Sequence, residues 1–230
     1  PVMVCMDGFI LTHAYERMDV PDQEQVDRFL PPFEPRQVLD PADPKSIGAM
    51  VGPEAFTEVR YIAHHKQMQA LKVIPQIAEE FKGIFGRDSG GLISTYRADD
   101  ADTLIVTLGS VIGTISEVID EMRDMGQKIG AVTIRSFRPF PLDEIHEVLK
   151  NTRRVVVFEK CLAVGLGGIV ASNVRMAHRG QTSPVYTVIG GLGGRPITRA
   201  SLQELFEKAM TDDLEETTFL DLKQDVVDQE

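Results

Sequence analysis

From residue 100 onward, short β-forming runs alternate with helical ones, and that alternation restricts this chain more than any other feature. "TLIVTLG" (103–109), "KIGAVTIRSF" (128–137), "RRVVVFE" (153–159) and "SPVYTVI" (183–189) read as strands. Between them, "GTISEVIDEMRDMG" (113–126), "PLDEIHEVLKN" (141–151) and "GGIVASNVRMAHR" (167–179) have helical spacing, and "TRASLQELFEKAM" (198–210) adds a last helix with Thr198 as its N-cap. Strands joined through helices at this spacing predict an α/β domain with a mostly parallel sheet.

The stretches before and after are of different character. "PVMVCMDGFI" (1–10) reads as a buried strand ending in an Asp-Gly turn; lacking a neighbour to pair with, it suggests a fragment of something longer. Residues 19–57 are rich in proline and acids, which excludes a long helix or central strand. Val26, Phe29, Leu30, Phe33, Val38 and Leu39 within that span predict an ordered connector laid over a neighbouring surface. Residues 57–87 have a helical stripe from Val59 to Phe81, which Pro75 is expected to kink or split. The last twenty residues hold eight acids and one lysine, and composition alone predicts a solvated tail in preference to an arm clasping a partner.

Bulk properties exclude several functions. A formal charge of −11 argues against a nucleic-acid partner, and no apolar run approaches the ~20 residues of a membrane span. Cys5 and Cys161 lie far apart without CxxC spacing, so the chain has no cluster or zinc motif of its own, and reduced, cytoplasmic thiols are expected.

Two glycine clusters invite a phosphate-binding reading. In "VIGGLGGRPIT" (188–198), Gly191 and Gly193 supply G-x-G but position 196 is Pro; in "VGLGGIV" (164–170), Gly165 and Gly167 are followed by Val170. Neither completes the dinucleotide fingerprint or a P-loop, so turns and close helix–sheet packing are the preferred explanation. Backbone amides at Gly193 and Gly194 beside Arg195 are kept as a second-ranked anion-binding candidate. "DGFILTH" is the best local candidate for a functional surface: Asp7 follows an apolar run, while Thr12 and His13 offer a hydroxyl and an imidazole. The plainer alternative, a turn held by Asp7 with His13 at an interface, is preferred. His64 and His65 point to different helix faces, and His146 and His178 are expected to be half-exposed. Glu159-Lys160 reads as a surface ion pair and Cys161 as a small apolar filler. Arg135 and Arg138 are weaker candidates for an acidic partner or coenzyme A phosphates.

Four stretches, in order, resemble the α subunit of multi-subunit pyruvate:ferredoxin oxidoreductases: "PVMVCMDGFILTHAYE", "FLPPFEP", "DADTLIVTLGSVIGTISEVIDEMRDMGQKIGAVTIRSFRPFP" and "GGLGGRPIT". The resemblance implies the end of a thiamine-enzyme-like domain (1–18), the proline-rich connector (19–57), a helical linker region (58–99), a domain similar to the C-terminal domain of transketolases (100–210) and an acidic tail (211–230). It further implies a complete cytoplasmic enzyme of anaerobic metabolism that converts pyruvate and coenzyme A to acetyl-CoA and CO2. Its partners would be β-, γ- and δ-type subunits, its cofactors thiamine diphosphate, Mg2+ and [4Fe-4S] clusters, and its electron acceptor ferredoxin or flavodoxin. This segment would be structural and subunit-assembling, with no catalytic residue of its own. "MDG" lacks the first glycine of the family's Gly-Asp-Gly cofactor motif, and Asn151 and Asn173 are the only asparagines, so no cofactor is expected on this chain alone. Another 2-oxoacid substrate (branched-chain, aromatic or oxalate-type), a non-catalytic scaffold, or a thiamine-type dehydrogenase β-subunit domain are the competing readings.

Overall fold

The computed structural model describes residues 2–8, 10–44, 46, 48 and 50–229. The chain forms two compact units, Glu16–Gly91 and Pro1–Tyr15 together with Leu92–Glu230.

The larger unit is built on β1 (Ile93–Tyr96), β2 (Thr103–Thr107), β3 (Ile129–Ile134), β4 (Arg154–Glu159), β5 (Val185–Ile189) and β6 (Thr217–Phe219), in the spatial order β1-β3-β2-β4-β5-β6. β1 runs antiparallel to β3 and every other pairing is parallel. Helices α4 (Ile112–Asp124), α5 (Leu142–Leu149), α6 (Ile169–Ala177) and α7 (Arg199–Met210) lie between the strands in sequence. Alternate strand residues feed two cores. Ile105, Ala131, Val156 and Val188 pack with Ile115, Ile119, Leu202 and Phe206 of α4 and α7. Leu104, Val106, Val132 and Val155 pack with Ile145 and Leu149 of α5 and Val170 and Val174 of α6. A sheet covered on both faces explains why β2 and β3 read as unbroken β-forming runs, without a polar residue at every second position. Each fully buried Val or Ile stabilises the domain by about 1.5–3 kcal/mol against exposure. Thr198 caps α7 as expected, its hydroxyl accepting the Ser201 N–H at 3.1 Å.

The structure departs from the sequence reading at both ends. Residues 2–8 form no strand, and Val2, Met3, Val4 and Met6 are 73–91% exposed. β-formers become a strand only where another strand supplies their hydrogen bonds, and among the described residues none does. The acidic tail is not merely solvated: Thr217–Phe219 pairs with β5, Leu214 and Leu220 pack onto the core, and Asp212 takes a bidentate ion pair from Arg154 (2.5 and 2.6 Å). A short α8 (Gln224–Val227) follows. β1 gave no sequence signal because Ser94 and Thr95 interrupt its apolar pattern.

In the smaller unit, α2 (Gln23–Phe29) is capped by Asp22, whose carboxylate accepts the Gln25 N–H at 2.8 Å. Phe29 of α2 meets Phe81 and Phe85 of α3 (Phe56–Phe85), with ring centroids 5.5 Å apart in both pairs. α3 passes through Pro75 as one helix of 30 residues, so the proline costs a hydrogen bond without splitting it. Val59, Ile62 and Ile77 of its stripe are exposed, as are the connector residues Leu30, Phe33, Val38 and Leu39.

Candidate functional site

In an open α/β sheet, ligands and partners meet the carboxyl ends of the strands, at the point where strand order reverses. Here β2 is followed in sequence by β3 on one side and has β4 on the other, so the reversal lies between β2 and β4. Two loops meet there, the one opening at Leu108-Gly109-Ser110 after β2 and the one opening at Lys160-Cys161 after β4.

Asp7 enters this mouth from the first segment. Its carboxylate accepts the Ser110 N–H at 2.9 Å and the Ser110 hydroxyl, and Lys160 Nζ lies 3.9 Å away. The two Ser110 hydrogen bonds, helped by the Lys160 charge, hold the Asp7 carboxyl below its ordinary value. Gly109 turns the chain beside this carboxylate, with φ at +83°, a conformation that L side chains rarely adopt. The Lys160 stem runs beside the second glycine cluster, its Cε 3.5 Å from where a Gly191 Cβ would stand. Ser110 and Lys160 were not singled out as partners of Asp7, since they lie more than 100 residues downstream; their only sequence mark is a position just past a strand.

Below this mouth, Glu159 corrects the reading of an exposed ion pair. It is 3% exposed, and its carboxylate accepts the N–H of Val170 (2.8 Å) and of Ala171 (2.9 Å) in the first turn of α6. A carboxylate at a helix N-terminus satisfies donors that have no partner within the helix and meets the positive end of the helix dipole. Cys161 donates its S–H to the same carboxylate at 2.8 Å, and burial, reinforced by Glu159, pushes the thiol up to about 11. Gly168 is what lets α6 approach: a Cβ there would overlap Glu159 Oε1 and lie 2.8 Å from Thr187 Cγ2. Gly190 likewise faces Phe158, whose Cζ would be 2.7 Å from an added Cβ. These two glycines are close-packing residues, whereas Gly165, Gly167, Gly193 and Gly194 have positive φ and open space where a side chain would be.

The remaining candidates make other contacts. Thr12 Oγ1 and His13 Nδ1 lie 3.0 Å from each other on the exposed α1 (Ile10–His13). Gly193 and Gly194 form a 3-10 turn in which the Gly194 N–H donates to Gly191 O and the Arg195 N–H to Leu192 O, while the Arg195 guanidinium donates to Asp221 O at 2.5 Å. Arg135 donates to Ser94 Oγ, and Arg138 lies over the Phe137 ring at 4.2 Å. His178 is 7% exposed rather than half-exposed, because its ring lies against Ser183 Oγ at 2.8 Å.

A thiamine diphosphate–magnesium pair would need free carboxylate and amide ligands. The Asp7 carboxylate is committed to Ser110, Asn151 is exposed just before β4 at the opposite edge of the sheet, and the Asn173 amide donates to Ile169 O. Among the described residues no three His, Cys, Asp or Glu side chains gather closely enough to hold a metal ion. The described residues do not fit that pair.

Comparison with known proteins gives the relatives of the sequence. Residues 1–79 match the thiamine diphosphate-binding domain model of pyruvate flavodoxin/ferredoxin oxidoreductases, and residues 101–202 match the pyruvate:ferredoxin oxidoreductase core domain II model. The chain is 39% identical to pyruvate synthase subunit PorA of Methanosarcina barkeri, over 99% of this chain and 58% of that protein. It is 41% identical to the subunit PorA of Methanothermobacter thermautotrophicus, over 90% and 54% respectively. Against ketoisovalerate oxidoreductase subunit VorA of Pyrococcus abyssi the identity is 35%, over 90% and 53%. The chain therefore spans a little over half the length of these curated relatives. With two models of one family matching in order, and the same subunit aligned along nearly the whole sequence, the chain belongs to the pyruvate:ferredoxin oxidoreductase α-subunit family.

Proposed function

We propose that this chain is the core-domain portion of the α subunit of a cytoplasmic 2-oxoacid:ferredoxin oxidoreductase that acts on pyruvate and coenzyme A. In that role it assembles subunits and supplies no reacting group. The observation that carries the reading is the 39–41% identity to pyruvate synthase subunit PorA over 90–99% of the chain. The Asp7 and Glu159 contacts agree with it, since both carboxylates are spent on hydrogen bonds within the chain. Thiamine diphosphate, Mg2+ and iron–sulfur clusters would be held by the rest of the complex, and ferredoxin or flavodoxin would receive the electrons. A branched-chain 2-oxoacid is the second reading, carried by the lower 35% identity to subunit VorA.

Two experiments test this. The chain titrated with thiamine diphosphate and Mg2+ in a calorimeter is expected to give no binding heat, and saturable binding would overturn the assembling role. The complex isolated through this chain is expected to contain an iron–sulfur protein and to reduce a viologen dye with pyruvate and coenzyme A. Faster reduction with 2-ketoisovalerate would transfer the assignment to the branched-chain reading.

A further inference from the structure

The switch-point mouth, where an α/β sheet offers its ligand site, is filled by a side chain from the first segment of this same chain. Asp7 lies within the stretch matching the thiamine diphosphate-binding domain (1–79), whereas Ser110 and Lys160 lie within the stretch matching core domain II (101–202). Residues 2–6 have exposed side chains, with Val2, Met3, Val4 and Met6 standing 73–91% free. Asp7 is only 32% exposed in its side chain and carries two hydrogen bonds and one longer ionic contact to loops on two different strands.

We propose that Asp7 is an interdomain fastener. Its carboxylate, seated on Ser110 and facing Lys160, ties the thiamine-binding part of the subunit to core domain II and closes the switch-point mouth as a joint. Three features of the mouth suit that use. The acceptor is charged and takes both Ser110 donors, and ionised acceptors make the stronger class of hydrogen bond. Gly109, with φ at +83°, turns the chain directly into the Ser110 that meets the carboxylate. Lys160 adds a positive charge whose Nζ lies 3.9 Å from the same carboxylate. The contact lies wholly within this chain; only its role between domains rests on the reading given above.

The test uses the 230-residue chain. Cys5 is exposed and two residues from Asp7, whereas Cys161 is protonated and half-buried, so a nitroxide label at neutral pH attaches to Cys5, as mass spectrometry verifies. In the wild-type chain the label is expected to broaden the Ser110 amide signal in NMR. A Ser110 amide untouched by the label would overturn the proposal without any substitution being needed. Asp7→Asn is then expected to speed hydrogen exchange at Ser110 at least tenfold and to relieve the broadening, while Ile105 and Val157 keep their protection. Unchanged exchange at Ser110 would also overturn it. Loss of the pyruvate activity with the latch intact would sink the enzyme assignment and leave the fastener standing, so the two failures are distinguishable.

Discussion

Replacing Glu159 by Gln removes a charge and one acceptor while keeping size and shape. In the native chain the carboxylate takes two buried N–H groups, Val170 at 2.8 Å and Ala171 at 2.9 Å. The Gln amide turns an NH2 toward one of them and leaves that donor unsatisfied, which costs about 1–3 kcal/mol. Loss of the negative charge at the start of α6 adds about 0.3–1 kcal/mol, up to ~2 in a buried geometry. The sum is about 2–4 kcal/mol. With a urea m-value of about 2–3 kcal/mol per molar, the unfolding midpoint should fall by roughly 1 M at unchanged m. A second readout separates this from general damage. The Glu159 charge is one of the causes holding the Cys161 thiol up at about 11, so alkylation of Cys161 should become faster in the folded variant. A midpoint within about 0.2 M of wild type, with Cys161 no more reactive, would refute the claim that this carboxylate holds the start of α6.

Other substitutions and conditions probe the same region. Gly168→Ala should cost about 1–3 kcal/mol by overlap with Glu159 and Thr187, although its φ of −74° suits any residue. Gly193→Ala meets open space and should cost only about 1 kcal/mol, from its φ of +64°; equal urea midpoints for the two variants would contradict the distinction. At pH 8 about one Cys161 thiol in a thousand is ionised in the folded chain, so iodoacetamide should modify Cys5 first and Cys161 only on unfolding or well above pH 9. His178 is held below its ordinary value by burial, aided by nearby His146. The unfolded chain therefore binds this proton first, near pH 6.5, so the stability His178 contributes is complete above that pH and is lost as pH falls through its folded value. Urea midpoints at pH 7 and pH 5 should differ less in His178→Asn than in wild type.

Much was legible in the sequence because local spacing encodes it. The alternation of β-forming runs and amphipathic helices after residue 100 requires a sheet covered on both faces, and Thr198 marks the start of α7 by its side-chain chemistry. Failure of both glycine clusters to complete a phosphate motif was likewise readable, since that depends on Pro196 and Val170. Tertiary structure decided everything that depends on a distant partner. "VMVCM" carries strand propensity but meets no strand, whereas "TTF", with less, becomes β6 because the edge of β5 accepts it. Glu159 became a buried helix anchor because Gly168 brings α6 down onto the end of β4. Asp7 became the occupant of the switch point because Ser110 and Lys160, distant in sequence, end neighbouring strands. Propensity and motif spacing act within a few residues, whereas the worth of a charge or an apolar run depends on which surface the fold sets against it.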